Sequence, residues 1–305
     1  PNCPINYVIG IADNDSEQLS PLSIKLFNDN TSKFLKSESI PRAEEVPPLT
    51  IQTIASESFD VIAVECGDIM NFLVPKFTKS SLSGGDVYNF AIDLGTTNTH
   101  LEYKIEGQGE SKEINITHEE QQISFLLPPI DGPVRIHDLR LLYEGQEQLI
   151  QEVIPKHIGE NELISSPFRT VLLENSNLNY NTPTYTFAHV NIGFDYEKKN
   201  IKRHLKPKTD LKWSNESVNE KRVKHYIEEL LIICRNKVLI NKGNLSQTKI
   251  VWFYPVSMTK SHLRLFRNIW EETFSDVFGI NENNLVDYPE SIAPFYHYRN
   301  NEHLP

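Results

Sequence analysis

Cysteine is scarce in this chain: Cys3, Cys66 and Cys234 are the only three among 305 residues, far apart and without CxxC or Cys/His ligand spacing. That scarcity excludes a disulfide framework and a structural zinc site, and it suits a reducing cytoplasm. No run approaches the roughly 20 apolar residues that span a bilayer, and the opening PNCPINYVIG has no basic region followed by an apolar stretch, so neither membrane insertion nor a secretory signal is expected. Positive charge is also short. Thirty Lys and Arg stand against 41 Asp and Glu, a formal net charge of −11. Such a surface repels a phosphate backbone, and no segregated basic face compensates, so nucleic acid is not an expected partner. Neither a Gly-x-Ser-x-Gly elbow nor a Walker-type Gly-Lys-Ser/Thr loop occurs, which argues against serine hydrolases and P-loop NTPases. What is present, 39% apolar and 23% charged residues, describes a soluble globular protein with enough apolar side chains for one large core or two smaller ones.

Residues 1–86 read as a β-rich module. Short alternating runs at Tyr7 to Ile11, Leu22 to Leu26, Thr50 to Ile54, Phe59 to Val64 and Asn71 to Val74 are separated by turn clusters and by the Pro-rich stretch Pro41 to Pro48. After a polar linker, Lys79 to Asp86, the pattern changes. Val87 to Asp93 is nearly all apolar up to a terminal acid, as expected of a central strand buried on both faces. Leu94-Gly95-Thr96-Thr97-Asn98 turns the chain, and Thr99 to Ile105 alternates with Leu101, Tyr103 and Ile105 inward and His100 outward and exposed. The middle, about 110 to 215, predicts strands at Ile123 to Leu127 and Thr170 to Leu173 and a helix around Leu149 to Ile158. From Glu216 apolar residues recur at helical spacing as far as Val238, which predicts about six turns of helix. A buried strand at Ile250 to Tyr254 follows, then a helix after Ser261 that ends at Gly279, a strand at Asn284 to Asp287, and a last helix beginning near Ile292.

The chemistry concentrates at the hairpin tip. A bend of Gly and Thr can present several backbone N–H groups as a concave nest, and its hydroxyls add donors for phosphate oxygens. A bare carboxylate at Asp93 would repel polyphosphate; with Mg²⁺ between them, a hard cation that keeps its waters, both are attracted. The same residues also fit a plain tight hairpin.

Phe90-Ala91-Ile92-Asp93-Leu94-Gly95-Thr96-Thr97-Asn98-Thr99 resembles the first phosphate motif of the ATPase superfamily that contains actin and the seventy-kilodalton heat-shock chaperones. Ile250 to Val256 with Ser257-Met258 is similar to the chaperones' strand-Val-Pro segment, and Tyr288-Pro289-Glu290-Ser291-Ile292-Ala293-Pro294-Phe295 resembles the first connecting segment. Here Pro289 precedes the acid, a departure from the family's Glu-Pro order. The resemblance covers about 87 to 305 and implies an α/β fold: a ribonuclease H-like, actin-type half-domain following the β-rich module, with an inserted subdomain at about 110 to 215. It implies ATP and Mg as cofactors, with Asp93, Gly95, Thr96, Thr97 and Asn98 on the nucleotide, Asp93 reaching the metal through water, and Glu290 orienting or deprotonating the attacking water.

The family's second Gly-rich phosphate loop and its Gly-Gly adenosine motif do not occur in this sequence, so the polypeptide alone is expected to bind ATP weakly and hydrolyse it poorly. Three functions follow: half of a chaperone-like ATPase that couples hydrolysis to domain closure, a sugar-kinase-like phosphotransferase, or a non-catalytic scaffold for a protein partner or client. Other candidates read as structural. His118-Glu119-Glu120 is expected in a solvated loop. The basic cluster Lys198, Lys199, Lys202, Arg203, Lys206 and Lys208 reads as a solvated surface loop, or else a contact for an acidic partner or a phosphate, and Trp213 and Trp252 as packing aromatics.

Overall fold

The computed structural model describes residues 6–12, 22–28, 33–35, 38–41, 49–55, 61–66, 69–74, 84–120, 155–162, 164–176, 178–187, 189–194, 196, 205–280 and 282–292. The expected strand at Ile123 to Leu127, most of the expected helix at Leu149 to Ile158, and Lys198, Lys199, Lys202 and Arg203 lie outside them.

The N-terminal part forms two antiparallel sheets. Strands β1 (Asn6–Ala12), β5 (Leu49–Ala55) and β4 (Glu38–Pro41) make one, in the order β1-β5-β4. Strands β3 (Lys33–Leu35), β2 (Leu22–Asn28), β6 (Val61–Cys66) and β7 (Ile69–Leu73) make the other, in that order.

From residue 84 the chain builds a mixed α/β unit. Its sheet runs β10 (Lys112–Glu113), β9 (Asn98–Ile105), β8 (Tyr88–Leu94), β15 (Lys249–Tyr254), β16 (Leu285–Pro289), and β11 (Phe168–Arg169) shares the outer edge of β9. Strands β8, β9 and β10 are an antiparallel meander; β15 lies parallel to β8, and β16 parallel to β15. Parallel neighbours need crossovers, and helices supply both. Helix α1 (Asn219–Ile240) precedes β15, and α2 (Lys260–Phe278) joins β15 to β16.

After β10 the described chain next joins this sheet at β11, on the same edge of β9. Beyond β11, β12 (Leu172–Asn175) pairs antiparallel with β13 (Val190–Ile192) and β14 (Leu205–Lys208). The strand expected at Thr170 to Leu173 is thus two strands with a break at Thr170 and Val171. The expected helix is not present over its described part, 155–158, where Ile158 instead bridges Ile116.

Both helices pack on one face of the sheet. Tyr88, Phe90, Ile92 and Leu94 of β8, Leu101 and Tyr103 of β9, and Ile250 and Trp252 of β15 meet Tyr226, Leu230 and Ile233 of α1 and Phe266, Trp270 and Phe274 of α2 in one core. Trp252 stacks on Trp270 with ring centroids 5.3 Å apart. The expectation of two-sided burial for β8 is corrected here: Asn89, Ala91 and Asp93 form a second, only half-buried face. That is the consequence of both crossover helices lying on the same side. Helix α2 starts at Thr259, whose hydroxyl accepts the His262 N–H, and stops at Gly279 in the left-handed region, φ 60°. Among the described residues no helix is long and apolar enough to cross a membrane.

Candidate functional site

Parallel strands place their C-terminal ends together, and in open α/β sheets that is where ligands bind. Asp93 is the penultimate residue of β8, and Glu290 follows the last residue of β16; β15, between them, ends at Tyr254 before Pro255. Strands lie about 4.8 Å apart and the register offsets Glu290 two residues beyond Asp93, so two strand spacings and that offset set the two acidic residues' backbones roughly 12 Å apart on one rim. Glu290 is fastened there by its N–H, which donates to the Tyr254 carbonyl at 2.8 Å. Asp93 senses the Glu290 carboxylate. Asp93 is raised above the usual carboxylate range, first by burial and then by the Glu290 charge, while Lys212 and His100 pull it down. Its Oδ1 is sealed from solvent and makes no hydrogen bond.

The loop after Asp93 has its carbonyls tied inward. Thr170 donates its N–H to Thr97 O at 2.8 Å and its hydroxyl to Gly95 O at 2.8 Å, and Gly95 N–H donates to Asp93 O at 3.1 Å. Thr96 and Thr97 are exposed, and their N–H groups have no acceptor among the described residues. Glycine is required at 95, because a Cβ there would stand 2.4 Å from Asn98 O. The side chain of Asn98 accepts from Arg169 Nη1 at 3.2 Å and so serves the β9–β11 edge.

Two residues that the sequence reading did not place at the site complete it. Lys212, its side chain only 4% exposed, donates to Glu290 Oε1 at 2.8 Å. Trp213, read from sequence as a packing aromatic, does border the core but also donates its indole N–H to Thr96 Oγ1 at 3.0 Å and sits edge-on to His262. The segment carrying them is shaped by Asp210, in the left-handed region at φ 57°, whose carbonyl accepts from the N–H groups of Trp213 and Ser214. The Asn219 amide, at the start of α1, then holds Leu211 O and Ser214 O. The only hint in the sequence is a lone cation between two large apolar residues, Leu211 and Trp213.

The remaining candidates fall elsewhere. His100 is half-buried rather than exposed, 2.8 Å from Glu102 Oε1, and faces the Asp93 side of the hairpin. His118 and Glu119 are exposed as expected, but Glu120 is not a loop acid: it pairs with buried Lys237 at 2.8 Å, because the short helical turn His118–Glu120 docks on α1. Lys206 and Lys208 are absorbed by β14, binding Ser176 O and Glu174. Trp252 is a core residue, as expected. No cluster of three or more His, Cys, Asp or Glu side chains able to hold a metal ion occurs among the described residues. A cation at this rim would therefore be held by one or two acids, its own waters and a ligand, the manner of Mg²⁺ rather than of zinc.

Comparison with family models, with curated proteins and with solved structures gave no match for this chain.

Proposed function

We propose that residues 87–305 are one wall of a Mg-nucleotide site of the actin and heat-shock chaperone type, and that hydrolysis coupled to domain closure occurs where a second phosphate loop supplies the opposite wall. One observation carries the reading. Asp93 and Glu290 flank a single strand end, beside a loop whose free N–H groups face solvent and a buried lysine that reaches the same rim. The mixed sheet, with its two parallel strands reached through helices, is compatible with the α/β half-domain that the resemblance implies.

The residues suit the implied groups. Thr96 and Thr97 offer N–H and O–H donors to phosphate oxygens, and Lys212 adds a positive charge that desolvation strengthens. Asp93, half-buried at the strand end, would hold a hydrated divalent cation through the carboxylate oxygen other than the sealed Oδ1, and the ion would neutralise charge on the phosphates when bound. Glu290 is half-exposed and within reach of water, so it suits orienting a nucleophile or accepting its proton; Lys212 holds one of its oxygens and fixes its direction.

Isothermal titration of the full chain with ATP tests this, in magnesium and in EDTA. Weak binding that needs magnesium and is lost in Asp93→Asn is expected. Absence of magnesium-dependent binding at millimolar nucleotide, together with no magnesium-induced rise in melting temperature, would sink the reading and leave the scaffold alternative.

A further inference from the structure

Behind the phosphate-facing loop lies a line of three buried hydroxyls that leads from α1 to the loop backbone. Tyr226 and Thr99 are fully buried and Thr170 is 1% exposed. Tyr226 Oη is 2.9 Å from Thr99 Oγ1, Thr99 Oγ1 is 3.0 Å from Thr170 Oγ1, and Thr170 Oγ1 is 2.8 Å from Gly95 O. Each hydroxyl owns one hydrogen, and a carbonyl oxygen can only accept.

That inventory fixes the direction of the whole line. Thr170 must give its hydrogen to Gly95 O, so Thr99 must donate to Thr170, and Tyr226 must donate to Thr99. The Arg169 carbonyl, 3.2 Å from Tyr226 Oη, is a weaker second acceptor for the same hydrogen. All three hydrogens point toward the loop, and each bond polarises the next.

We infer that Tyr226, Thr99 and Thr170 are positioning residues for the nucleotide site: the line draws the Gly95 carbonyl into the protein and so keeps the N–H of the same peptide, that of Thr96, turned out toward phosphate. The inference rests on the nucleotide reading above for its purpose, though not for its geometry. A loop free to rotate its peptides would present carbonyl oxygens to an anion as readily as N–H groups, and repulsion would replace attraction. Thr170 is the essential member because it holds two loop carbonyls, Gly95 O through its hydroxyl and Thr97 O through its N–H. Tyr226 ties that anchor to the helix packed beneath the sheet.

The test uses Thr170→Val, which keeps shape and loses the donor, Thr170→Ser, which keeps the donor, and Tyr226→Phe, each in the full chain. Hydrogen exchange of the 168–173 peptide, whose residue-170 N–H anchors the loop by donating to Thr97 O, is read without ligand, against the 249–254 peptide of β15 as an internal control. Thr170→Val should speed exchange at this anchor about tenfold, the equivalent of one lost buried bond, and leave β15 unchanged. Thr170→Ser should restore the wild-type rate. Tyr226→Phe should give a smaller effect in the same peptide, with no further effect once Thr170→Val is present. Titration with Mg-ATP should then show about tenfold weaker binding for Thr170→Val and near wild-type binding for Thr170→Ser. Equal acceleration at the anchor and β15, or none at the anchor, overturns the positioning role. If wild type binds no Mg-ATP while the exchange pattern appears as expected, the geometry stands and the nucleotide reading falls.

Discussion

Replacing Asp93 with Asn should make the ligand-free protein more stable while removing its response to magnesium. The carboxylate carries a sealed Oδ1 with no hydrogen-bond partner, and burial followed by the Glu290 charge makes ionisation costly. A buried polar atom without a partner costs about 1–3 kcal/mol, and more when it bears charge. The amide has the same shape and no charge, so part of that cost disappears. A gain of about 1 kcal/mol at neutral pH is expected, which for a domain of this size raises Tm by about 2–4 °C. The pH dependence has a definite sign. A carboxyl whose pKa is raised by folding binds its proton more tightly in the folded state, so the wild type is favoured in acid and loses stability as pH rises through the folded pKa. Asn has no such loss. The advantage of Asp93→Asn should therefore be largest at neutral pH and shrink on acidification, in thermal melts without divalent ions. Adding magnesium and nucleotide should raise the wild-type Tm and leave Asp93→Asn unmoved. A variant less stable than wild type at pH 7, or a difference indifferent to pH, would refute the reasoning.

Glu229 of α1 is fully buried, accepts the Ile192 N–H at 2.7 Å through Oε2, and has no partner for Oε1; burial drives its pKa well above the carboxylate range, the Ile192 bond opposing. Glu229→Gln should match wild type in acid and exceed it as pH rises, since the folded acid gives up stability on ionising; urea midpoints across a pH series check this, and parallel curves would refute it. Glu120 neutralises the buried ammonium of Lys237, at side-chain exposures of 12% and 3%. Glu120→Ala should cost about 3–5 kcal/mol by urea denaturation, because an unpaired charge remains inside. Lys237→Met should cost less, since the abandoned carboxylate is nearer solvent; the opposite order would show that the aliphatic stem of Lys237 matters more than its charge.

The regular elements of the α/β unit were legible because their periods are strong. The period-two run Thr99 to Ile105, the helical spacing from Val223 to Val238 and the Gly279 stop all appear where the pattern places them. The apolar run Val87 to Asp93 misled on one point: Ala91 counts as apolar, but it is small and sits on the uncovered face, so burial is one-sided. The insertion was less readable, since its described strands are two to four residues long and borrow their pairing from distant segments. At the rim, Asp93 and Glu290 could be suggested from their positions at strand ends. Lys212 and Thr170 could not. Each is an ordinary residue whose importance arises only when the chain returns to the outer edge of β9 and hands Glu290 and Gly95 their partners.

The one strand that lies between Asp93 and Glu290 acts as a ruler. Side chains can lean, and loops can lengthen, but the distance between the two strand termini changes only in whole steps, by the gain or loss of a complete ribbon of backbone. The spacing of the two acids is thus written into the path of the chain, beyond the reach of single substitutions in the layer beneath it.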